Sequence, residues 1–137
     1  MTSVAIVDAG PLYATADADD LDHEPCRETL ARSDLRLVVP AMALAEATYF
    51  VGQRLGGAAE ARFLSGIAQL DVEGPSREDL SRMAELVERY ADFPLGGTGA
   101  SVVALAERLE APIVVTLDRR HFTVIAPVHR EAFELLP

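Results

Sequence analysis

The 137-residue sequence has no tryptophan, no lysine and a single cysteine, Cys26. One cysteine excludes an intrachain disulfide and a cysteine-based zinc site, which suits a reducing compartment. Cys26 is predicted to be a small buried helix residue. No uncharged apolar run is long enough to span a bilayer, and the N-terminal MTSVAIVDAG lacks the basic segment of a signal peptide. These absences predict a cytoplasmic protein with no membrane partner.

Basic residues are also scarce. The chain has 12 basic and 22 acidic residues, which gives a formal net charge of -10. This balance repels a phosphate backbone. Any role with nucleic acid must therefore come from a local basic patch, a bound metal ion or a basic partner. The acidic excess fits a protein that gathers divalent cations, and it fits ordinary solubility at least as well.

Length and apolar patterning predict a single domain over residues 1–137 of the α/β class. Continuously apolar strands alternate with helices of ten or more residues, which indicates a parallel sheet covered on both faces. Strands are expected at 4–7, 35–39, around 67–72, in IVVTLD and in TVIAP. Helices are expected at 23–33, from Pro40 through AMALAEATYFVGQRL, at 58–65, in PSREDLSRMAELVERY and at 100–110. Turns are expected directly after Asp8 and at DRRHF.

The helix in PSREDLSRMAELVERY carries the clearest local signals. Ser76 is the predicted N-cap, and Asp79 completes a capping box with it. Its apolar residues form one predicted stripe, made of Leu80, Met83, Ala84, Val87 and Tyr90.

Three carboxylates are expected to converge at one edge of the sheet. Asp8 follows the first strand and Asp118 ends IVVTLD, so both project from the same edge if those strands are parallel neighbours. Either aspartate can instead be a turn or helix-capping residue. Glu46 is the only charge between Pro40 and Gln53, in a helix that is apolar on every face and predicted to be largely buried. A buried lone carboxylate needs a cation or hydrogen-bond donors, unless Glu46 reaches solvent or pairs with an arginine.

Oxygen ligands without histidine or cysteine form a site for a hard cation, and Mg²⁺ or Mn²⁺ is the chemical match. His23, His121 and His129 show no metal-ligand spacing and are expected at the surface or in turns. Mg²⁺ held by a few carboxylates leaves coordination positions for water and phosphate oxygens. The natural substrate of such a site is a phosphodiester.

Four segments carry a resemblance to a known family: VAIVDAGPLYA with Asp8, PAMALAEATYF with Glu46, YADFPLGGTGASVVALAERL, and VVTLDRRHF with Asp118. In their order and spacing the chain resembles the PIN-domain endoribonucleases, and more closely the VapC toxins of toxin–antitoxin pairs. The resemblance implies a three-layer α/β/α fold with a central, mainly parallel sheet of about five strands. It also implies Mg²⁺-dependent cleavage of RNA, with Asp8, Glu46 and Asp118 as metal ligands or water-positioning groups. A homodimer and a cognate VapB-type antitoxin that covers the active site are implied as partners.

One position departs from the family pattern. The family helix that matches residues 100–110 opens with Asp-Ala, and here Gly99 occupies the place of that acid. The resemblance therefore implies a missing fourth carboxylate, lost naturally or by an introduced change. It implies a metal-free or weakly metallated site and little or no RNA cleavage by this chain.

Further residues are predicted around this site. Thr116 resembles the Thr-x-Asp signature of the family and is expected to orient a ligand carboxylate or a bound water. Asp92 is expected either to assist the site or to end the preceding helix. Arg119 and Arg120 are placed to meet RNA phosphates, unless they belong to a solvated turn.

Tyr13 and Tyr49 can each stack on a base, although core packing is the expected use of both.

A rival hypothesis is a non-catalytic PIN-like protein that binds RNA or an antitoxin and has Gly99 as its native residue. A receiver-type phosphoacceptor domain is disfavoured because the chain has no lysine.

Overall fold

The computed structural model describes all residues from 1 to 137. Its five strands are β1 (Ser3–Val7), β2 (Leu35–Pro40), β3 (Asp71–Glu73), β4 (Ile113–Val115) and β5 (Glu134–Leu136). Its helices are α1 (Ala9–Ala16), α2 (His23–Leu30), α3 (Ala41–Leu55), α4 (Gly57–Ile67), α5 (Arg77–Arg89), α6 (Gly96–Arg108) and α7 (Arg119–Val124). All strands pair in parallel in the order β3-β2-β1-β4-β5, which confirms the predicted α/β class.

Alternation along the buried strands divides the core between the two faces of the sheet. Ala5 and Val7 point to one face, where α1, α3 and α4 cover them. Ile6 points to the other face, where α5 and α6 contribute the covering residues. Strands buried on both faces are continuously apolar in sequence, because every side chain meets a helix layer.

The strand order sets the position of the site. From β1 the chain adds β2 and β3 on one side, and later returns to add β4 and β5 on the other. The order therefore reverses between β1 and β4, where crevices form at the carboxyl ends of parallel strands. Val7 is in register with Val115, so the residues that follow these two strands emerge side by side.

Two segments that the sequence predicted as turns are helices. Asp8 is followed directly by α1, and Asp118 directly by α7, because each aspartate side chain caps its helix by accepting from a backbone N–H. The prediction of a strand at TVIAP is also wrong. Thr123 and Val124 end α7, and the edge strand is β5.

Other boundaries differ by a few residues. β3 covers only Asp71–Glu73, because Ile67 still belongs to α4 and packs in the core. Pro40 ends β2 and precedes α3 instead of opening it. Helix α6 begins at Gly96, four residues before the predicted start. Gly96 has a φ of 76°, a conformation that glycine adopts without steric cost.

The predicted capping box of α5 is confirmed, since Ser76 and Asp79 exchange both hydrogen bonds. The predicted stripe is wrong in part. Met83 is buried together with Leu86, which the pattern did not include, whereas Leu80, Ala84 and Val87 are exposed. Only one face of α5 packs, chiefly against α6.

Cys26 is buried in α2 as predicted. None of the helices combines the length and apolar character that crossing a membrane requires.

Candidate functional site

Asp8 stands where β1 passes into α1. Its Oδ1 accepts a hydrogen bond from the Ala9 N–H at 2.8 Å, which caps the helix. Its Oδ2 accepts from the Thr116 hydroxyl at 2.8 Å. Both carboxylate oxygens are therefore fixed by donors of the fold, and the side chain has one defined orientation at the strand end.

Thr116 connects the two strand ends. It lies buried after β4, 1 % exposed, and while its hydroxyl donates to Asp8 its oxygen accepts from the Asp118 N–H at 3.0 Å. One side chain thus bridges the two aspartates that the sequence expected at this edge. The predicted orienting contact to a carboxylate is present, and the carboxylate is that of Asp8.

Asp118 faces solvent more than Asp8 does, with 44 % of its side chain exposed. Its Oδ1 accepts from the His121 N–H at 3.1 Å, and the His121 Nδ1 lies 2.9 Å from its Oδ2. His121 was expected in a turn without a site role. The signal that could have identified it is the spacing of three residues from Asp118, which brings both onto one face of a helix start.

Negative charge accumulates here without an arginine counter-ion. Burial raises the pKa of Asp8, and the charges of Glu46 and Asp118 raise that pKa further. The hydrogen bonds from Thr116 and Ala9 act in the opposite direction because they favour the ionised carboxylate. No arginine forms a salt bridge with any of these three carboxylates.

Glu46 has a different environment from the one predicted. Helix α3 buries only Ala43, Ala47 and Val51, spaced four residues apart, so the expectation of a largely buried helix is wrong. Glu46 lies beside that stripe and is exposed. The sequence overestimated burial because apolar residues such as Tyr49 also face solvent. Glu46 nevertheless lies near enough for its charge to raise the pKa of Asp8.

Gly99 lies inside the first turns of α6 and not ahead of the helix. A Cβ atom built on it would stand 2.5 Å from Leu95 Cδ1 and 3.0 Å from Leu95 Cγ. The leucine side chain therefore occupies the space that any larger residue would need. An aspartate at this position requires the flexible end of Leu95 to move.

The predicted RNA-contacting arginines already have protein partners. Arg119 donates to the Leu135 carbonyl at 3.4 Å and to the Pro137 carbonyl. The guanidinium carbon of Arg120 lies 4.8 Å from the centre of the Phe93 ring. Asp92 is exposed in the turn after α5, and no hydrogen bond joins its side chain to Asp8 or Asp118.

The chain is similar to known proteins over most of its length. A family model described as PIN domain matches residues 5–126. This chain belongs to the PIN-domain family. Ribonuclease VapC26 of Mycobacterium tuberculosis is 32 % identical over 134 residues, which cover 96 % of this chain and 99 % of that protein.

Solved structures share the PIN fold at lower identity. VapC20 of Mycobacterium tuberculosis, described as a sarcin-ricin loop cleaving toxin, has a TM-score of 0.74 at 16 % identity, covering 80 % of this chain and 86 % of that one. DNA-bound VapBC of Salmonella typhimurium has a TM-score of 0.74 at 20 % identity, covering 98 % of both chains. These likenesses confirm the predicted three-layer fold.

PIN-domain ribonucleases generally use a divalent metal ion. The donors of this PIN domain fit such an ion in chemistry, since they are carboxylate oxygens with excess negative charge. No group of three or more histidine, cysteine, aspartate or glutamate side chains is arranged to hold a metal. Asp8, Glu46 and Asp118 therefore do not form a preformed group of three metal ligands.

Proposed function

We propose that this chain is a metal-dependent endoribonuclease toxin of the VapC type, which hydrolyses RNA phosphodiesters and is neutralised by a cognate antitoxin. The observation that carries the proposal is the hydroxyl of Thr116, which donates to Asp8 and accepts from the Asp118 N–H across the switch point. This bridge holds the Asp8 carboxylate and the Asp118 backbone together at the edge where the strand order reverses. The 32 % identity with a protein named as a ribonuclease supports the same activity.

In this proposal Asp8 and Asp118 hold the cation, and Glu46 is a further ligand or a group that positions water. Mg²⁺ is the expected ion and Mn²⁺ the expected substitute, since both take oxygen ligands. When bound, the cation would supply charge stabilisation and a lowered pKa for a bound water. Thr116 keeps one Asp8 oxygen fixed, and the exposed Glu46 carboxylate is free to accept a proton from the attacking water.

The partners belong to the same proposal. Solved relatives include DNA-bound VapBC of Salmonella typhimurium and a toxin–antitoxin complex of Klebsiella pneumoniae, which has a TM-score of 0.72 at 15 % identity. A net charge of -10 favours an antitoxin segment that brings basic side chains to the acidic site. We propose a homodimer in the cytoplasm, where RNA and the antitoxin are both available.

The test is cleavage of total and ribosomal RNA by the chain freed of any antitoxin, with Mg²⁺, Mn²⁺ or EDTA. Cleavage is expected to be weak, to stop in EDTA and to disappear in Asp8→Asn. Glu88→Gln removes an exposed carboxylate of α5 and serves as the matched control. Cleavage that persists in EDTA and in Asp8→Asn would refute the proposal.

One observation favours a second function, a non-catalytic PIN protein that binds RNA or an antitoxin. The Leu95 side chain fills the space that a side chain at position 99 of α6 would need, which is the packing expected if glycine is the native residue there. Under the first proposal Gly99→Asp raises the rate of RNA cleavage. Under the second, neither form cleaves RNA, while the antitoxin still binds.

A further inference from the structure

A cavity of about 180 Å³ lies between α1 and α3, directly beside the carboxylates. Ala9 and Gly10, which follow Asp8 in the chain, line it from α1, and Glu46 lines it from α3. Because Glu46 itself lines the cavity and Ala9 directly follows Asp8, the cavity and these carboxylates are neighbours. The remaining lining residues are Tyr13, Ala47, Phe50 and Arg54.

Aromatic side chains are concentrated around this cavity. The chain has five phenylalanines, three tyrosines and no tryptophan; Tyr13 and Phe50 line the cavity, and Tyr49 contacts Phe50. Tyr49 is 60 % exposed and Phe50 is 37 % exposed, with their ring centres 5.4 Å apart in an edge-to-face pair. Large aromatic rings contribute most when they are covered, so an exposed pair beside a cleft marks a contact surface.

Arg54 supplies a planar cation at the same place. Its guanidinium carbon lies 5.0 Å from the centre of the Tyr13 ring and 4.8 Å from that of Phe50. It forms no salt bridge in a chain that is rich in acids. Arg120 stacks on Phe93 in a similar way, but neither Arg119 nor Arg120 lines the cavity. Arg54 is therefore the one guanidinium of the cavity, and no salt bridge neutralises its charge.

We propose that this cavity receives a base of the RNA strand next to the scissile phosphodiester, with Phe50 and Arg54 as its stacking groups. The inference rests on the proposed function, because the carboxylates mark the bond that is cut. Single-stranded RNA is commonly bound through unstacked bases that lie on aromatic rings and guanidinium planes. The positive charge of Arg54 also offsets the repulsion that an acidic protein exerts on the RNA backbone.

The test measures the affinity of the full chain for a short fluorescein-labelled single-stranded RNA by anisotropy. EDTA is present, so that metal-dependent cleavage is prevented and binding is read apart from catalysis. Phe50→Ala and Arg54→Met are each expected to weaken binding about 5- to 150-fold, the range for the loss of one stacked base. Phe50→Trp is expected to retain the affinity, since a larger ring still stacks.

Arg77→Met is the matched control, because it removes the same charge from the exposed first turn of α5. An equal loss of affinity in Arg77→Met and Arg54→Met would reveal a general charge effect and overturn the subsite. Unchanged RNA affinity in Phe50→Ala and Arg54→Met would also overturn the subsite. So would variants that bind the antitoxin more weakly but bind RNA as tightly as the unchanged chain. Cleavage that depends on Asp8 but keeps its KM in Phe50→Ala would refute the subsite and leave the proposed function intact.

Discussion

Replacing Thr116 by valine tests whether its hydroxyl holds the site together. Valine has nearly the same shape, but Asp8 Oδ2 loses its donor at 2.8 Å and the Asp118 N–H loses its acceptor at 3.0 Å. A hydrogen bond to a charged group contributes about 1.5–3 kcal/mol, and an unpaired buried group costs a comparable amount. We therefore expect the free energy of unfolding to fall by about 2–4 kcal/mol. For a chain of this length, Tm should fall by roughly 10 °C.

The assay is thermal denaturation followed by circular dichroism, in EDTA and across pH. The Thr116 bond favours ionised Asp8, so its loss raises an already raised pKa further. A raised pKa in the folded state costs stability as pH rises, and the Tm deficit should therefore shrink towards acid pH. Thr116→Ser keeps the hydroxyl and should recover most of the loss.

Thr29→Val makes the same chemical change at another buried threonine, on α2, where no carboxylate accepts from the hydroxyl. It should change Tm far less than Thr116→Val does. Equal effects of the two variants, or a deficit that does not depend on pH, would refute the role assigned to Thr116.

Two further predictions concern the rest of the fold. Arg82 binds the mostly buried Glu107 carboxylate through bonds of 2.8 and 3.0 Å, so Arg82→Met should lower the free energy of unfolding by about 3 kcal/mol in urea denaturation. The pair Arg82→Met and Glu107→Leu together should recover part of that loss, because the Val128 N–H still loses its acceptor on Glu107, and a stable single variant would contradict the argument. Burial raises the pKa of the Cys26 thiol to about 11, so a thiol reagent should label it only after unfolding. The thiol ionises at lower pH in the unfolded chain than in the folded one, so the free energy of unfolding should fall as pH rises towards 11. Cys26→Ala should reduce this dependence of stability on pH.

Sequence alone located the elements that bury apolar side chains on both faces. The strands with Ile6, Val38 and Val114 could be predicted because each is continuously apolar, and a parallel sheet between helices is the arrangement that covers them. The short helices after Asp8 and Asp118 were missed. In both places a single carboxylate serves as the helix cap as well as a site residue, and the sequence does not show which donor it meets.

Sequence reasoning about the site was weakest where it depended on exposure. Glu46 and Tyr49 lie among apolar residues of α3, and their solvent access is decided by how α3 packs against α1 and α4. Helical periodicity does not record which neighbours a helix has. The cavity formed with Phe50 and Arg54 likewise joins two helices far apart in the chain, so no local pattern pointed to it.

The measurement that tests the central claim most directly is the rate of RNA cleavage against Mg²⁺ concentration, for this chain and for Gly99→Asp. We predict that Gly99→Asp cleaves faster and reaches saturation at lower Mg²⁺, because a further carboxylate strengthens the cation site. Adding Asp8→Asn or EDTA should abolish cleavage by both forms. Cleavage that proceeds without metal, or that survives Asp8→Asn, would contradict the assignment of this edge of the sheet as a metal-dependent ribonuclease site.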